Sequence, residues 1–220
     1  MKNQAKATWQ NGATKVTTVL LIRHATTDLI GERIAGSMPG VHLNAQGQAQ
    51  AVVLSEALRD WPIAAIYSSP LERARETAAP LSERAGLPIQ FREAFGELHF
   101  GAWEGRSLQE LAGDSLWQRF NACRSLARAP GGELMMETAA RVVTELEHLR
   151  AQHNEDCLAI FSHGDVIRAA LILYAGIPFD LFQRIEISPA SISIVELHDS
   201  GPCLKGVNWP VTHLPPQPLH

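Results

Sequence analysis

The stretch Thr17-Thr18-Val19-Leu20-Leu21-Ile22-Arg23-His24 joins an apolar, β-rich run directly to an arginine–histidine pair. A short run of β-branched and aliphatic residues is typical of a buried strand, which we predict at residues 17–22. The polar pair is therefore expected at the end of that strand. Arginine offers a rigid fork of donors that matches phosphate oxygens, and histidine with one free ring nitrogen can act as a nucleophile.

The rest of the chain alternates between strand-like and helix-like patterns. Further strands are predicted at residues 64–68, 157–161 and 192–197, and helices at residues 46–60, 71–85, 133–152 and 166–174. This alternation indicates an α/β fold with three layers, α/β/α, in which helices cover both faces of a mostly parallel central sheet. Sites in such folds lie beyond the carboxyl ends of strands.

Two more of the predicted strands end in polar side chains. Ser68-Ser69 ends the second strand, and Arg73 follows in the first turn of the next helix. Ser162-His163 ends the third strand, and Gly164 allows a tight turn into a helix whose positive end points back at the site. Two histidines and two arginines at one edge of the sheet predict a phosphate pocket.

Composition narrows the class of protein. The chain has 220 residues and a formal net charge of -4, which disfavours a broad nucleic-acid-binding surface. Its three cysteines are far apart, which favours neither a disulfide framework nor a zinc site. The N-terminal segment lacks the apolar core of a signal peptide, and no run has the length of a membrane span, so we expect a cytoplasmic protein.

The predicted organisation is a single domain between two tails. Residues 1–15 and the Pro-rich residues 209–220 are interpreted as tails, and residues 16–208 as the domain. Within it, residues 105–136 are interpreted as an insertion that caps the substrate, where Trp117, Arg119, Phe120 and Arg124 either contact substrate or only pack. The Gly- and Pro-containing residues 36–42 are expected at the rim of the site.

Five motifs in order resemble those of the histidine phosphatase superfamily. They are Arg23-His24, LNAQGQAQA at residues 43–51, SSPLERARETA at residues 68–78, GELHFGAWEG at residues 96–105 and FSHGDVIRAAL at residues 161–171. The resemblance covers about residues 17–197. It implies a phosphoglycerate mutase-like fold and, in the phosphatase branch, hydrolysis of a small phosphorylated metabolite without a metal or other cofactor.

The resemblance also implies a role for each site residue. His24 would be the nucleophile that becomes phosphohistidine, while Arg23, Arg73 and His163 would hold the phosphoryl oxygens. Glu97 would give a proton to the leaving oxygen and later take one from water. Thr27 aligns with a hydroxyl that is frequent in the phosphate pocket of this superfamily.

Three positions depart from that pattern. Ala25 replaces the usual glycine after the nucleophile, and Ile30 replaces an asparagine that often binds phosphate. Asp165 lies two residues after His163 and resembles the proton donor of the acid-phosphatase branch, which places its aspartate directly after the histidine. We therefore favour Glu97 as the acid and interpret Asp165 as a cap of the following helix.

Other functions stay open at this point. The same pocket would suit a phosphoglycerate mutase, although the short segment at residues 105–132 favours hydrolysis, or a silent module that binds phosphorylated ligands. A metal-dependent hydrolase is disfavoured because the histidines stand beside arginines, which repel a cation. No nucleic-acid or membrane partner is expected, and a homodimer is left open.

Overall fold

A six-stranded sheet forms the centre of the computed structural model, which describes residues 15–214. The strands are β1 (Val16–Arg23), β2 (Ile63–Ser68), β3 (Ile89–Phe91), β4 (Cys157–Ser162), β5 (Ile192–His198) and β6 (Gly201–Trp209). Their order across the sheet is β3-β2-β4-β1-β5-β6. Strands β3, β2, β4 and β1 are parallel to one another. On the other side of β1, β5 is antiparallel to β1 and β6 is antiparallel to β5. The predicted three-layer α/β fold is confirmed.

Helices lie on both faces of the sheet. They are α1 (Ala45–Ala57), α2 (Glu72–Ala85), α3 (Leu108–Leu111), α4 (Ser115–Ala122), α5 (Met135–Gln152) and α6 (Gly164–Ala175). The alternation of side chains along β1 explains this layering. Val19 and Leu21 pack into the core under α5 and α6, while Leu20 and Ile22 pack into the core under α1 and α2.

The structure adds elements that the sequence pattern did not predict. The three-residue strand β3 and the exposed edge strand β6 were both missed, and two short helices, α3 and α4, lie in the stretch interpreted as the substrate cap. β6 ends at Trp209, one residue beyond the predicted domain boundary, and Val211 and Leu214 pack against the core under α1 and α2. Residues 1–14 and 215–220, which hold nearly all of the predicted N-terminal tail and half of the predicted C-terminal tail, lie outside the described residues.

Candidate active site

Two neighbouring parallel strands bring the two histidines together. Arg23 at the end of β1 is in register with Ser162 at the end of β4, and the amide of His24 donates to the carbonyl oxygen of Ser162 across 2.9 Å. His24 and His163 therefore leave adjacent strands side by side, with ring centroids 5.2 Å apart. The sheet therefore brings these two strand ends together, as the sequence pattern predicted.

The imidazole of His24 is neutral and has one free ring nitrogen. Its Nδ1 lies 2.8 Å from the carbonyl oxygen of Ala25, an acceptor, so Nδ1 carries the hydrogen and Nε2 keeps its lone pair. Burial, together with the charges of Arg73 and Arg23, holds the pKa of His24 well below its ordinary value. Ala25 is buried and its φ angle is not positive, which explains why alanine is accepted where glycine is usual.

The orientation of His163 is set by a hydroxyl. Ser69 Oγ accepts a hydrogen bond from the amide of Leu71, so its own proton is free to be donated to Nε2 of His163, 2.8 Å away. This places the hydrogen of the ring on Nδ1, which is buried and has no hydrogen-bond partner among the described residues. Burial is the largest cause that lowers the pKa of His163, and the charge of Arg73 lowers it further. The ring is therefore neutral and Nδ1 is a donor.

Arg23 and Arg73 are buried cations, and each has N–H groups without an acceptor among the described residues. Arg23 donates through one terminal nitrogen to the carbonyl oxygen of Ile187, and Arg73 donates through one to the carbonyl oxygen of Gly36. The Nε atom of Arg23, and both Nε and the other terminal nitrogen of Arg73, have no partner among the described residues. Burial lowers the pKa of both groups, but arginine stays charged in proteins. Two desolvated positive charges with free N–H groups form an anion site.

Glu97 supplies a carboxyl group that is protonated near neutral pH. Burial is the main cause that raises its pKa to about 7, and the charge of Asp165 raises it further against the opposing effect of Arg73. One oxygen of Glu97 lies 3.9 Å from Nδ1 of His163. Its backbone is held by Arg141 of α5, which donates to the carbonyl oxygens of both Ala94 and Glu97.

Asp165 does not cap α6, contrary to our prediction. The capping position belongs to His163, and the carboxylate of Asp165 instead accepts from Arg168 at 2.6 Å and from Arg124 at 3.2 Å. Burial alone would raise the pKa of Asp165, but the two guanidinium groups outweigh it and the pKa is lowered. Asp165 is thus an ionised partner of two arginines at neutral pH, which suits it poorly to donating a proton.

Most of these side chains line a cavity of about 210 Å³, whereas His163 is fully buried and is not part of the lining. The lining includes His24, Arg23, Arg73, Glu97 and Thr27 of the predicted set, together with Asp165 and Arg168. Thr27 is buried at the cavity, and Ile30, at the position where asparagine is usual, lines it as well. Of residues 36–42, which were expected at the rim, Gly36 is the one that lines the cavity.

Most of the predicted cap residues pack instead of lining the cavity. Phe120 and Trp117 pack edge to face against Trp103, and the guanidinium of Arg124 lies 3.8 and 4.0 Å from the ring centroids of Phe120 and Phe182. From the segment predicted as cap, Leu108 lines the cavity. The remaining wall comes from the segment after Thr27, at residues 29–36. This segment is short and irregular, so its role was not predicted from the sequence.

Residues 15–214 contain neither a candidate metal centre nor a helix that could span a membrane. In that part of the chain, no three histidine, cysteine, aspartate or glutamate side chains are grouped as ligands for a metal ion. No described helix has the length and apolar character needed to cross a bilayer.

Known proteins resemble this chain in sequence and in fold. The "Probable phosphoglycerate mutase GpmB" of Escherichia coli O1:K1 is 29% identical over 184 residues, which cover 83% of this chain and 86% of that protein. A mycobacterial glucosyl-3-phosphoglycerate phosphatase in complex with VO3 is 27% identical, with a TM-score of 0.79 over 87% of this chain and 98% of its own. YhfR of Bacillus stearothermophilus shares the fold, with a TM-score of 0.83, 24% identity and coverage of 88% and 97% of the two chains.

The model of one family matches nearly the whole described chain. Residues 19–210 match the histidine phosphatase superfamily, branch 1, and this range contains every predicted site residue. The resemblance found in the five motifs is thereby confirmed, as is the prediction of an enzyme of the histidine phosphatase type. The chain belongs to the histidine phosphatase superfamily (branch 1).

Proposed function

We propose that this protein hydrolyses phosphomonoesters of small metabolites through a phosphohistidine on His24. The observation that carries the proposal is a neutral His24 with a free Nε2 beside two buried arginines whose N–H groups are unpaired. Phosphoryl transfer needs mainly in-line positioning and positive charge around the moving group, and these residues supply both.

The first step transfers the phosphoryl group to the enzyme. Nε2 of His24 forms a bond to phosphorus while the bond from phosphorus to the ester oxygen breaks. Arg23, Arg73 and Nδ1–H of His163 stabilise the equatorial oxygens, and Thr27 adds a hydroxyl at the same cavity. Glu97, with its pKa raised to about 7, gives its proton to the leaving oxygen, so that an alcohol departs.

The second step returns the enzyme to its starting state. The carboxylate of Glu97 takes a proton from water, whose oxygen attacks phosphorus and releases His24. Inorganic phosphate leaves and Glu97 is again protonated. The raised pKa of Glu97 supports turnover rather than silent binding, because a module that only binds phosphate gains nothing from a buried neutral acid.

Mutase chemistry is the second candidate, because the relative from Escherichia coli is named a probable phosphoglycerate mutase. A single substrate separates the two activities. With 3-phosphoglycerate a mutase produces the 2-phospho isomer, whereas a phosphatase releases inorganic phosphate. Release of phosphate from p-nitrophenyl phosphate or a panel of phosphorylated metabolites, without isomer formation, is the result we expect. Tight phosphate binding without turnover would instead identify a binding module.

Arg23 and Arg73 supply the positive charge of the proposed site, so we propose that no metal is needed. EDTA is expected to leave the rate unchanged, while vanadate is expected to inhibit as a mimic of five-coordinate phosphorus. Loss of activity in EDTA that a divalent metal restores would contradict this mechanism. A cytoplasmic location and a homodimer stay predictions from the sequence.

A further inference from the structure

The guanidinium group of Arg73 makes one hydrogen bond within the described residues. One terminal nitrogen donates to the carbonyl oxygen of Gly36 at 2.6 Å, while Nε and the other terminal nitrogen are buried and have no partner there. These two free nitrogens are the donors that we assign to the phosphoryl oxygens. The direction in which they point therefore depends on where the carbonyl group of Gly36 holds the guanidinium.

The peptide unit between Gly36 and Ser37 is held from its other side by Glu104. The amide of Ser37 donates to Oε1 of Glu104 at 3.0 Å, while the carbonyl oxygen of the same unit accepts from Arg73. The peptide bond is trans and planar, so its C=O and N–H groups point in opposite directions and fixing one fixes the other. The hydrogen bond to the carboxylate also polarises the unit, which makes its carbonyl oxygen a stronger acceptor.

Further contacts keep Glu104 in this position. The hydroxyl of Ser37 lies 2.9 and 3.1 Å from the two carboxylate oxygens, and the amide of Phe100 donates to Oε1 at 3.1 Å. Gly36 has a φ angle of +50°, and a Cβ atom on it would lie 2.5 Å from Oε1 of Glu104. The carboxylate thus packs directly against the peptide that it orients, at a place where a glycine is required.

We propose that Glu104 is a positioning residue for phosphate binding, which acts on the phosphoryl group through the Gly36–Ser37 peptide and Arg73. The inference rests on the function proposed above, in which Arg73 binds the phosphoryl oxygens. Glu104 is not among the residues that line the cavity, so a change at residue 104 reaches a ligand only through its neighbours.

Vanadate binding to the full-length protein measures this effect. Glu104→Ala removes every acceptor at this position, and we expect the Kd for vanadate to rise by about tenfold, since a small misplacement of a ligating group is costly. Titration calorimetry reports Kd and the number of binding sites separately. A loss of folded protein lowers the number of sites but leaves the Kd of the remaining molecules unchanged, so a raised Kd identifies positioning.

Glu104→Gln tests whether the hydrogen bonds or the charge matter. The glutamine side chain is close in size and keeps an oxygen that can accept from the amides of Ser37 and Phe100, but it is neutral. It should raise the Kd for vanadate by no more than about threefold, because an amide oxygen is a weaker acceptor than a carboxylate. A rise as large as that in Glu104→Ala would show that the charge acts on Arg73 directly, and positioning through the peptide would be wrong.

A double-mutant cycle tests whether Arg73 transmits the effect. In an Arg73→Ala background the group that Glu104 positions is gone, so adding Glu104→Ala should change the Kd for vanadate, and kcat/KM for p-nitrophenyl phosphate per folded molecule, by less than about twofold. A tenfold loss in that background would mean that Glu104 acts by another route, such as Phe100, which lines the cavity, and would overturn the proposal.

Glu137→Ala is the matched control. The exposed Glu137 also accepts from a backbone amide, that of Leu134 at 3.0 Å, and pairs with Arg128 outside the cavity, so its loss should leave the Kd for vanadate unchanged. If Glu104→Ala yields no folded protein, Glu104→Asp replaces it: this side chain is shorter by one methylene, and the Kd should rise in the same direction.

The outcomes separate this inference from the function beneath it. If the wild-type protein hydrolyses p-nitrophenyl phosphate and binds vanadate, and the folded Ala or Asp variant of Glu104 binds it with the same Kd, the positioning role is wrong and the phosphatase stands. If the wild-type protein hydrolyses no phosphomonoester and binds no vanadate, both this inference and the proposed function fall.

Discussion

Gly164 packs so closely against Arg23 that a Cβ atom at residue 164 would lie 3.2 Å from Nε and 3.3 Å from Cζ of the guanidinium group. This distance is tighter than ordinary van der Waals contact, and the guanidinium is fixed on its other side by the carbonyl oxygen of Ile187. The absence of a side chain at residue 164 therefore defines where Arg23 presents its free Nε.

Gly164→Ala is expected to displace the Arg23 guanidinium by a few tenths of an ångström and to lower kcat/KM by about tenfold, since small misplacements of catalytic groups are costly. Gly113→Ala is the control, because a Cβ atom at Gly113 meets no atom within 4 Å. Steady-state kinetics on p-nitrophenyl phosphate measure both variants. Equal activity of the two would show that the packing of Gly164 does not position Arg23.

Replacement of the proposed nucleophile tests the covalent route. His24→Ala should lower kcat by at least about 10³-fold, because both steps pass through that side chain. Labelled substrate should leave acid-labile phosphate on the His24 peptide of the wild-type protein. His148→Ala, which changes an exposed histidine on α5, should keep full activity and labelling. A His24→Ala variant that retains most of its activity would contradict the mechanism.

The raised pKa of Glu97 predicts a limb in the pH profile. The acid is protonated below about pH 7 and is lost above it, so kcat/KM for an alkyl phosphate should fall as pH rises through about 7. An aryl phosphate needs less help from an acid, so the alkyl-to-aryl ratio of kcat/KM, with each substrate corrected for the ionisation of its own phosphate, should fall over the same range. Glu97→Gln should lower alkyl phosphate turnover by about 10²-fold or more and flatten this ratio with pH.

The same shift affects stability with a defined sign. The ordinary pKa of Glu97 is 4.5 and the folded value is about 7, so the folded state binds more protons between these values. Its contribution to the free energy of unfolding is fully present below pH 4.5 and is lost as pH rises towards 7. Denaturant titrations should therefore show Glu97→Gln with a weaker fall in stability over that range than the wild-type protein.

Asp165→Asn tests the charge that lies beside Glu97. Burial is the main cause of the raised pKa of Glu97, and Asp165 is the largest charge that adds to it, so its removal should move the limb to lower pH. Asp180→Asn is the matched control, because the exposed Asp180 accepts from the amide and hydroxyl of Ser125 and lies outside the cavity. If Asp165→Asn instead shows the leaving-group dependence expected of Glu97→Gln, then Asp165 is the acid and our assignment is wrong.

The sequence correctly predicted those strands whose residue composition reflects their burial in the fold. β1 and β4 are short apolar runs buried on both faces, so composition alone marks them, and their parallel pairing brings His24 and His163 together. β6 was missed because it is an exposed edge strand containing Gly201, Pro202 and Gly206, which read as turn residues. Its place in the sheet comes from backbone pairing with β5, which leaves little trace in side-chain pattern.

Contacts between distant side chains were the other limit of prediction. The sequence shows that Asp165 follows a strand but not that Arg124, 41 residues away, reaches it from between two aromatic rings. The local rule for helix caps therefore gave the wrong role. In the same way, nothing near Glu97 in the sequence indicates that Arg141 of α5 holds its backbone.

The bond from Arg23 to the carbonyl oxygen of Ile187 joins residues 164 positions apart. Every side chain that we place in the chemistry, from Arg23 to His163, precedes Ile187 in the chain. During synthesis, all of them therefore leave the ribosome before the contact that fixes Arg23 can form. A nascent chain stopped short of residue 187 would hold the full set of reactive groups and lack the contact that fixes Arg23, so we expect activity only after Ile187 and β5, the C-terminal strand that pairs with β1, have emerged.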